Sequence, residues 1–174
     1  SDLLIKAHCR CDDPYLETKA FYNRRFLQQM PYFEEKITTF SAAVKHAILA
    51  NIIDFNPVHG RVEENIRLTF AQAEEMKLTV DDTENLLQDI RRAGTILYLG
   101  DNCGEICFDK LLIRHIRKVN PGCKVYFAVR GEAVVNDNTM EDALFVGMDE
   151  AAEVISNGDS SLGTVLPRVS ASFR

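Results

Sequence analysis

The sequence predicts an α/β fold in which an all-helical region precedes a mainly parallel, Rossmann-like three-layer sheet. Before Gly94, apolar residues recur every three or four positions, the spacing of helices that pack on a core. After Gly94, short runs of β-forming residues flank a helical segment, which is typical of a βαβ unit with parallel strands. We therefore expect a helical region over residues 1–93 and an α/β domain over residues 94–174.

Proline and capping residues set the predicted helix bounds in the first region. The first helix runs from Pro14 to Met30, with Asp13 as its N-cap and Pro14 at its first position. Pro31 is expected to end this helix and to open a second one that reaches Ile53. The other helices predicted here are Val62–Met76 and Thr83–Ala93.

The second region is predicted to bring three loops to one edge of a sheet. Carboxyl ends of parallel strands meet at the same edge, and this edge binds ligands in open α/β sheets. The loops that follow Leu99, Val129 and Ile155 should therefore lie side by side. The predicted elements, in chain order, are the strand Thr95–Leu99, the helix Glu105–Val119, the strand Lys124–Val129, the helix Thr139–Val146 and the strand Glu153–Ser156.

Composition narrows the classes of molecule that this protein is expected to bind. The net charge of -6, without any block of Lys or Arg, argues against a nucleic-acid surface. No apolar run approaches the roughly 20 residues that cross a bilayer, and no signal peptide is evident, so we expect a cytoplasmic protein without a membrane partner.

Five cysteines without a disulfide framework fit reduced thiols. Cys9 and Cys11, beside His8, make only a weak zinc argument because no second ligand pair follows.

The three loops carry oxygen-bearing side chains. They read G-D-N-C-G-E, R-G-E-A-V-V-N-D-N-T and S-N-G-D-S-S. Asp101, the Asn102 carbonyl and Asp137 would supply hard oxygen ligands, which suit Mg²⁺ or Mn²⁺ better than zinc. Arg130, at the end of a strand, is placed to clamp a phosphate. The alternative is that Asp101 and Asp137 are merely turn and N-cap residues. Cys103 lies between Asn102 and the N-terminus of the predicted helix, a place where a thiol pKa tends to fall, yet we interpret it as an inert packing residue.

Three motifs resemble a known family in both residues and spacing. They are G-D-N-C-G-E-I-C-F-D-K-L-L-I, V-R-G-E-A-V-V-N-D-N-T-M-E-D-A and V-I-S-N-G. They are similar to those of the metal-dependent damage-control phosphatases, formerly domain of unknown function 89, with the acidic-residue-methyltransferase-like fold. Upstream, A-N-I-I-D-F and D-P-Y resemble the family more weakly. The resemblance implies hydrolysis of a small phosphorylated metabolite, such as a sugar phosphate, by metal-activated water. The implied metal is Mg²⁺ or Mn²⁺, with Co²⁺ or Ni²⁺ as alternatives.

The resemblance also implies roles for individual residues. Asp101, Asn102 and Asp137 match the family's ligands of the catalytic metal. Glu105 matches a glutamate near the metal that positions water, so Asp101 and Glu105 are the implied catalytic residues. The implied substrate-binding residues are Arg130, Gly104, Asn51, Asp54 and Asn157.

Some features depart from the family pattern. Asn138 stands where small apolar residues are usual, and Ala50 replaces a glycine before Asn51. Members of the family continue to a Lys-Gly-x-x-Asn segment whose lysine is expected to contact phosphate, and no such segment precedes Arg174. The sequence also begins with Ser1. We therefore expect a longer parent protein in which the sheet continues, and metal binding without efficient turnover by these residues alone.

Other readings stay open. A non-catalytic nucleotide- or sugar-phosphate-binding module fits the strand-glycine-helix turn, although G-x-G-x-x-G spacing is absent and paired carboxylates repel phosphate without a metal. A protein carboxyl methyltransferase is suggested by the family's older name, but no glycine-rich cofactor loop is evident. A covalent aspartyl-phosphate route needs a second Asp where Cys103 stands. Asn51 and Asp54 fit a helix C-cap and its buried hydrogen-bond partner as well as they fit direct contact with a ligand. The oligomeric state is not predicted.

Overall fold

The computed structural model describes residues 2–52, 70–71, 73, 75–161 and 163–174. It confirms the mixed α/β fold, because helices precede a three-stranded parallel sheet of order β1-β2-β3. Within these ranges, no helix is both long and apolar enough to cross a membrane.

The strands have the predicted bounds, and both helices of the α/β region agree with prediction to within one residue at each end. The helices are α1 Asp2–Cys9, α2 Leu16–Lys36, α3 Phe40–Ile52, α4 Thr83–Arg92, α5 Ile106–Val119 and α6 Met140–Phe145, with a 3₁₀ turn over Met148–Glu150. The strands are β1 Thr95–Leu99, β2 Lys124–Val129 and β3 Glu153–Ser156. Helix α1 is not among the predicted helices.

The prediction that Pro31 ends a helix is wrong. Helix α2 continues through Pro31 to Lys36. A proline inside a helix loses one backbone hydrogen bond and crowds the preceding turn. Here the buried face of the helix runs on across the proline, and its packing outweighs that local penalty. The buried apolar residues of this face are Phe26, Met30, Phe33 and Ile37.

The start of α2 also differs from prediction. The helix begins at Leu16 rather than at Pro14. Asp13 forms a turn before it, because its Oδ1 accepts the N–H of Tyr15 at 3.0 Å. The helix predicted over Val62–Met76 falls mostly outside the described residues.

One hydrophobic core spans the helical and α/β regions. Buried residues of α2, α3, α5 and β2 belong to a single cluster. At its centre, the ring of Phe108 on α5 lies 4.9 Å from Phe33 and 4.4 Å from Phe70, measured between centroids. The helical region is thus packed directly on the helix that follows β1.

The parallel register aligns the carboxyl ends of the strands. Leu99 at the end of β1 pairs with Ala128, and Val129 at the end of β2 pairs with Ser156. The loops that follow the strands therefore meet at one edge, as predicted.

Candidate active site

The loops after β1 and β2 are joined through their backbones. Asn102 and Asp137 form an isolated antiparallel bridge. The N–H of Asn138 donates to the carbonyl of Asp101 at 2.7 Å. The structure therefore brings together the three residues predicted to bind a metal, Asp101, Asn102 and Asp137.

A glycine at the end of β1 lets the chain pass close to β2. A Cβ atom at Gly100 would lie 2.4 Å from the ring of Phe127, too close for any side chain. The N–H of Gly100 also donates to the carbonyl of Ala128 at 2.9 Å. This close pairing delivers Asp101 to the edge of the sheet.

Asn51 links the helical region to the two predicted catalytic carboxylates. It lies near the end of α3, and its Nδ2 donates to Asp101 Oδ2 at 3.2 Å and to Glu105 Oε2 at 3.0 Å. The backbone N–H of Asn102 donates to Glu105 Oε1 at 2.9 Å. Both oxygens of Glu105 are thus held, and Asn51 is part of the site rather than only a helix end.

The acidic side chains of this edge disfavour one another's ionised form. Burial raises the pKa of Glu105, and the charge of Asp101 adds to this, although hydrogen bonds from Asn102 and Asn51 oppose it. Burial also raises the pKa of Asp137, against the opposing effect of Arg130.

Arg130 pairs with one of the predicted metal ligands. Its Nε lies 2.6 Å from Asp137 Oδ2, and both side chains are largely buried. Its Nη1 donates to Thr164 Oγ1 at 3.3 Å. The guanidinium therefore lies beside the metal-ligand loops, where the sequence placed it.

The other predicted substrate-binding residues make contacts within the protein. The N–H of Gly104 donates to Asn23 Oδ1 at 2.7 Å. Asn157 is buried, and its Oδ1 accepts the N–H of Gly131 at 3.0 Å and of Asp159 at 2.9 Å. In this structure the Gly104 amide is directed at α2 and Asn157 organises the turn after β3, so their substrate roles stay predictions. Asp54 lies outside the described residues.

The structure adds an acidic residue that the prediction omitted. Asp109 is buried one helical turn after Glu105 and accepts the hydroxyl of Tyr98 at 2.6 Å. Burial, followed by the charge of Glu105, raises the pKa of Asp109 to about 8. Its spacing of four residues from Glu105 places both on one helix face, which is a signal present in the sequence.

The Cys103 thiol is buried between the ligand loops and the helical region. Burial, followed by the charge of Asp142, raises its pKa. The tendency of a helix N-terminus to lower a thiol pKa does not prevail here. The raised pKa agrees with the interpretation of Cys103 as an inert packing residue.

The donor set fits a hard divalent cation. Among the described residues, no group of three or more His, Cys, Asp or Glu side chains is arranged to hold a metal ion, so the predicted set depends on the Asn102 carbonyl as its third ligand. Asp101, Asn102 and Asp137 offer only oxygen atoms, the ligands that Mg²⁺ and Mn²⁺ prefer. Burial raises the pKa of Glu105 and of Asp137, the charge of Asp101 adds to both, and a bound cation would oppose these effects.

A pocket opens beside the acidic loop. Its volume is about 340 Å³, and Asp101, Glu105 and Asp109 lie on its polar side. Its apolar wall is built mainly from α3, α4 and α5. The wall includes Val44, Ala47, Ile48, Leu86 and Leu112.

Comparison with known proteins assigns the family. A family profile described as the damage-control phosphatase ARMT1-like domain matches residues 4–174. The chain belongs to this family. A damage-control phosphatase from Pyrococcus horikoshii is 34% identical over 163 residues, covering 93% of this chain and 56% of the relative. A damage-control phosphatase from Archaeoglobus fulgidus is 33% identical over 162 residues, covering 89% of this chain and 54% of the relative.

A solved structure supports the same assignment. The crystal structure of a domain-of-unknown-function-89 family protein from Pyrococcus horikoshii matches with a TM-score of 0.85 and 33% identity. The match covers 98% of this chain and 59% of that chain. The present chain thus spans little more than half the length of these relatives.

Proposed function

We propose that this chain forms the metal-binding part of a phosphatase that hydrolyses small phosphomonoesters. One observation carries the proposal: Asp101, Asn102 and Asp137 lie on two hydrogen-bonded loops at the ligand-binding edge of the sheet. The names of the curated relatives, damage-control phosphatases, support the reaction class.

The ligands and the reaction class fit together chemically. Asp101, the Asn102 carbonyl and Asp137 would hold the metal, for which Mg²⁺ or Mn²⁺ is the best match. When bound, such an ion neutralises charge on the phosphoryl group and lowers the pKa of a water molecule.

Glu105 is suited to accept a proton from the attacking water. Its Oε2 is held at 3.0 Å from Asn51 Nδ2, which fixes the direction of the carboxylate. Its pKa is raised by burial, so it is a stronger base than an exposed glutamate. Geometry and basicity both favour this role.

Arg130 and the pocket would bind the two ends of the substrate. The Arg130 side chain has five N–H donors, and Asp137 and Thr164 engage those on Nε and Nη1. The remaining N–H groups can hold phosphate oxygens that the metal does not contact. The apolar wall beside Asp101 and Glu105 would take the carbon skeleton and exclude water. These features support a small phosphometabolite, such as a sugar phosphate, as the substrate.

The test is metal-dependent phosphate release. A panel of sugar phosphates and nucleotides should be assayed with Mn²⁺, Mg²⁺ or a chelator, using both this chain and the full-length protein. We expect the full-length protein to release phosphate only with the metal and this chain alone to turn over inefficiently. Release by the full-length protein should disappear in Asp101→Asn, which keeps the size of the side chain. Binding of phosphorylated compounds without release under any metal condition would instead identify a binding module. Full release by Asp101→Asn would reject the assigned ligand.

A further inference from the structure

A buried asparagine of the helical region contacts the loop after β1 and the first turn of α6, the helix that follows the loop after β2. Asn23 lies on α2 and its exposed fraction is 1%. Its Oδ1 accepts the N–H of Gly104 at 2.7 Å, and its Nδ2 donates to Asp142 Oδ1 at 2.9 Å. A backbone N–H can only donate and a carboxylate can only accept, so these partners determine the orientation of the amide.

Each partner of Asn23 is close in sequence to a proposed ligand. Gly104 follows Asn102 by two positions. Asp142 forms a capping box with Thr139, the residue two positions after Asp137. One side chain therefore connects to both ligand loops through short stretches of backbone.

The loop after β1 rests directly on the helix that carries Asn23. Gly104 has a φ of +87°, a conformation that favours glycine. A Cβ atom there would lie 3.1 Å from the ring of Phe26, one turn after Asn23 on α2. The hydrogen bond from Gly104 to Asn23 thus forms where the loop and the helix are in van der Waals contact.

A buried cation keeps Asp142 available as an acceptor. Lys19 Nζ lies 3.2 Å from Asp142 Oδ2 and 2.6 Å from Asp13 Oδ2. Burial alone would lower the pKa of Lys19, but its hydrogen bond to Asp13 and the charge of Asp142 outweigh burial and raise it. The donors to Asp142 include Lys19 Nζ, Asn23 Nδ2, Thr139 N–H and Thr139 Oγ1.

We propose that Asn23 is a positioning residue that holds the two ligand loops at the spacing a divalent cation requires. The inference rests on the proposed function, because it takes Asp101, Asn102 and Asp137 as the ligands. Asn23 acts through the Gly104 amide and the Asp142 carboxylate and contacts neither metal nor substrate. Loss of a hydrogen-bonding group behind the ligands typically lowers metal affinity about 10–100-fold.

Two measurements on the full chain test the role of Asn23. Mn²⁺ affinity is measured by calorimetry, and exchange of the Gly104 amide hydrogen is measured by NMR without metal. Asn23→Ala should lower Mn²⁺ affinity roughly 10–100-fold and speed exchange at Gly104. Met30→Ala is the matched control, because Met30 is buried on the same helix and its thioether has no N–H or O–H to donate to the loops. It should destabilise the chain without changing either measurement.

A compensating pair separates positioning from general damage to the fold. Asn23→Asp alone places two carboxylates in contact and should lose Mn²⁺ affinity. Combining it with Asp142→Asn restores one donor and one acceptor between the two positions, while the position-23 side chain still accepts from Gly104. The double variant should recover most of the lost affinity, which a merely destabilised chain would not do. If Asn23→Ala does not fold, the comparison of Asn23→Asp with the double variant still tests the proposal.

The outcomes separate this inference from the proposed function. Absence of Mn²⁺ binding by the unaltered chain would reject the proposed function, and the metal part of this inference with it. Normal Mn²⁺ affinity in Asn23→Ala, with binding by the unaltered chain, would reject the positioning role alone. Unchanged exchange at Gly104, or no recovery in the double variant, would likewise overturn it.

Discussion

Acidic side chains lie on both sides of the loop after β1, and different groups hold them: a buried lysine on one side, and amides, a tyrosine hydroxyl and one arginine on the other. On the side of the helical region, Asp13 and Asp142 contact Lys19 at 2.6 and 3.2 Å. Lys19 is 1% exposed, so this ion pair is shielded from water. The two carboxylates here share one internal cation.

On the side of the sheet edge, the acids are held by neutral groups. The donors shown for Asp101 and Glu105 belong to Asn51 and Asn102. Asp109 receives the hydroxyl of Tyr98. These contacts hold Asp101, Glu105 and Asp109 through neutral donors rather than through an ion pair.

The difference indicates which acids are structural. A buried carboxylate with an internal cation stabilises its neighbours, and removal of the cation is strongly destabilising. A group of buried carboxylates without one is a place where a cation from solution binds favourably. Asp137 is intermediate, because Arg130 pairs with it within the protein.

The largest expected effect is on activity, from removal of an acid at the sheet edge. Asp101→Ala should lower kcat by about three orders of magnitude, because the metal and its stabilisation of the transition state are lost. Stability should change by less than about 1 kcal/mol, since the carboxylates repel one another without metal. Enzyme assays and urea denaturation measure the two effects. A large loss of stability would instead favour Asp101 as a turn residue.

Removal of the internal cation, Lys19, is expected to affect stability. Lys19→Met should lower the free energy of unfolding by about 3–5 kcal/mol, because two buried carboxylates lose their partner. The matched control is Arg114→Met, since Arg114 is 39% exposed and pairs with Glu34 and Glu150, whose side chains are 42% and 65% exposed. That change should cost no more than about 1 kcal/mol. Equal effects in urea denaturation would contradict the distinction between the two sides.

The acids at the sheet edge should also make stability depend on pH. The pKa of Asp109 is about 8 in the folded protein, against an ordinary value of 3.8. Between these values the folded protein keeps a proton that the unfolded chain has lost, so the free energy of unfolding falls as pH rises. Asp109→Asn should flatten this dependence and be the more stable protein above about pH 8. Denaturation across this range without added metal measures it.

An exposed acid is the control for this pH dependence. Asp89 lies on α4 with its side chain exposed, so Asp89→Asn should leave the dependence unchanged. A rise of stability with pH in the unaltered protein would contradict the assignment of the proton to Asp109.

The smallest effect is expected at the buried thiol between the two acidic groups. Cys103→Ser should leave kcat nearly unchanged, because the raised pKa keeps the thiol protonated and unreactive. Cys107→Ser is a suitable comparison, since that thiol is also buried and its pKa is raised to about 12 by burial. Loss of activity in Cys103→Ser alone, under reducing conditions, would mean that the thiol has a direct role.

Local sequence patterns were sufficient to predict the sheet and the position of the proposed metal ligands. Short β-forming runs bounded by glycine or proline predicted all three strands, and parallel topology then placed Asp101, Asn102 and Asp137 at one edge. The capping box of Thr139 and Asp142, which the sequence analysis did not predict, also has a local signal in residue type and spacing. Each of these signals depends on residues that are close in sequence.

Tertiary packing decided what local patterns could not. Pro31 lies inside α2 because a buried face extends on both sides of it, and the energy of that burial depends on α5. The contact of Asn23 with Asp142 joins residues 119 positions apart. No local pattern distinguishes Lys19 and Asn23 from polar residues on an exposed helix face. Their roles depend on which groups the fold encloses with them, because burial is what makes an ion pair or an amide hydrogen bond decisive.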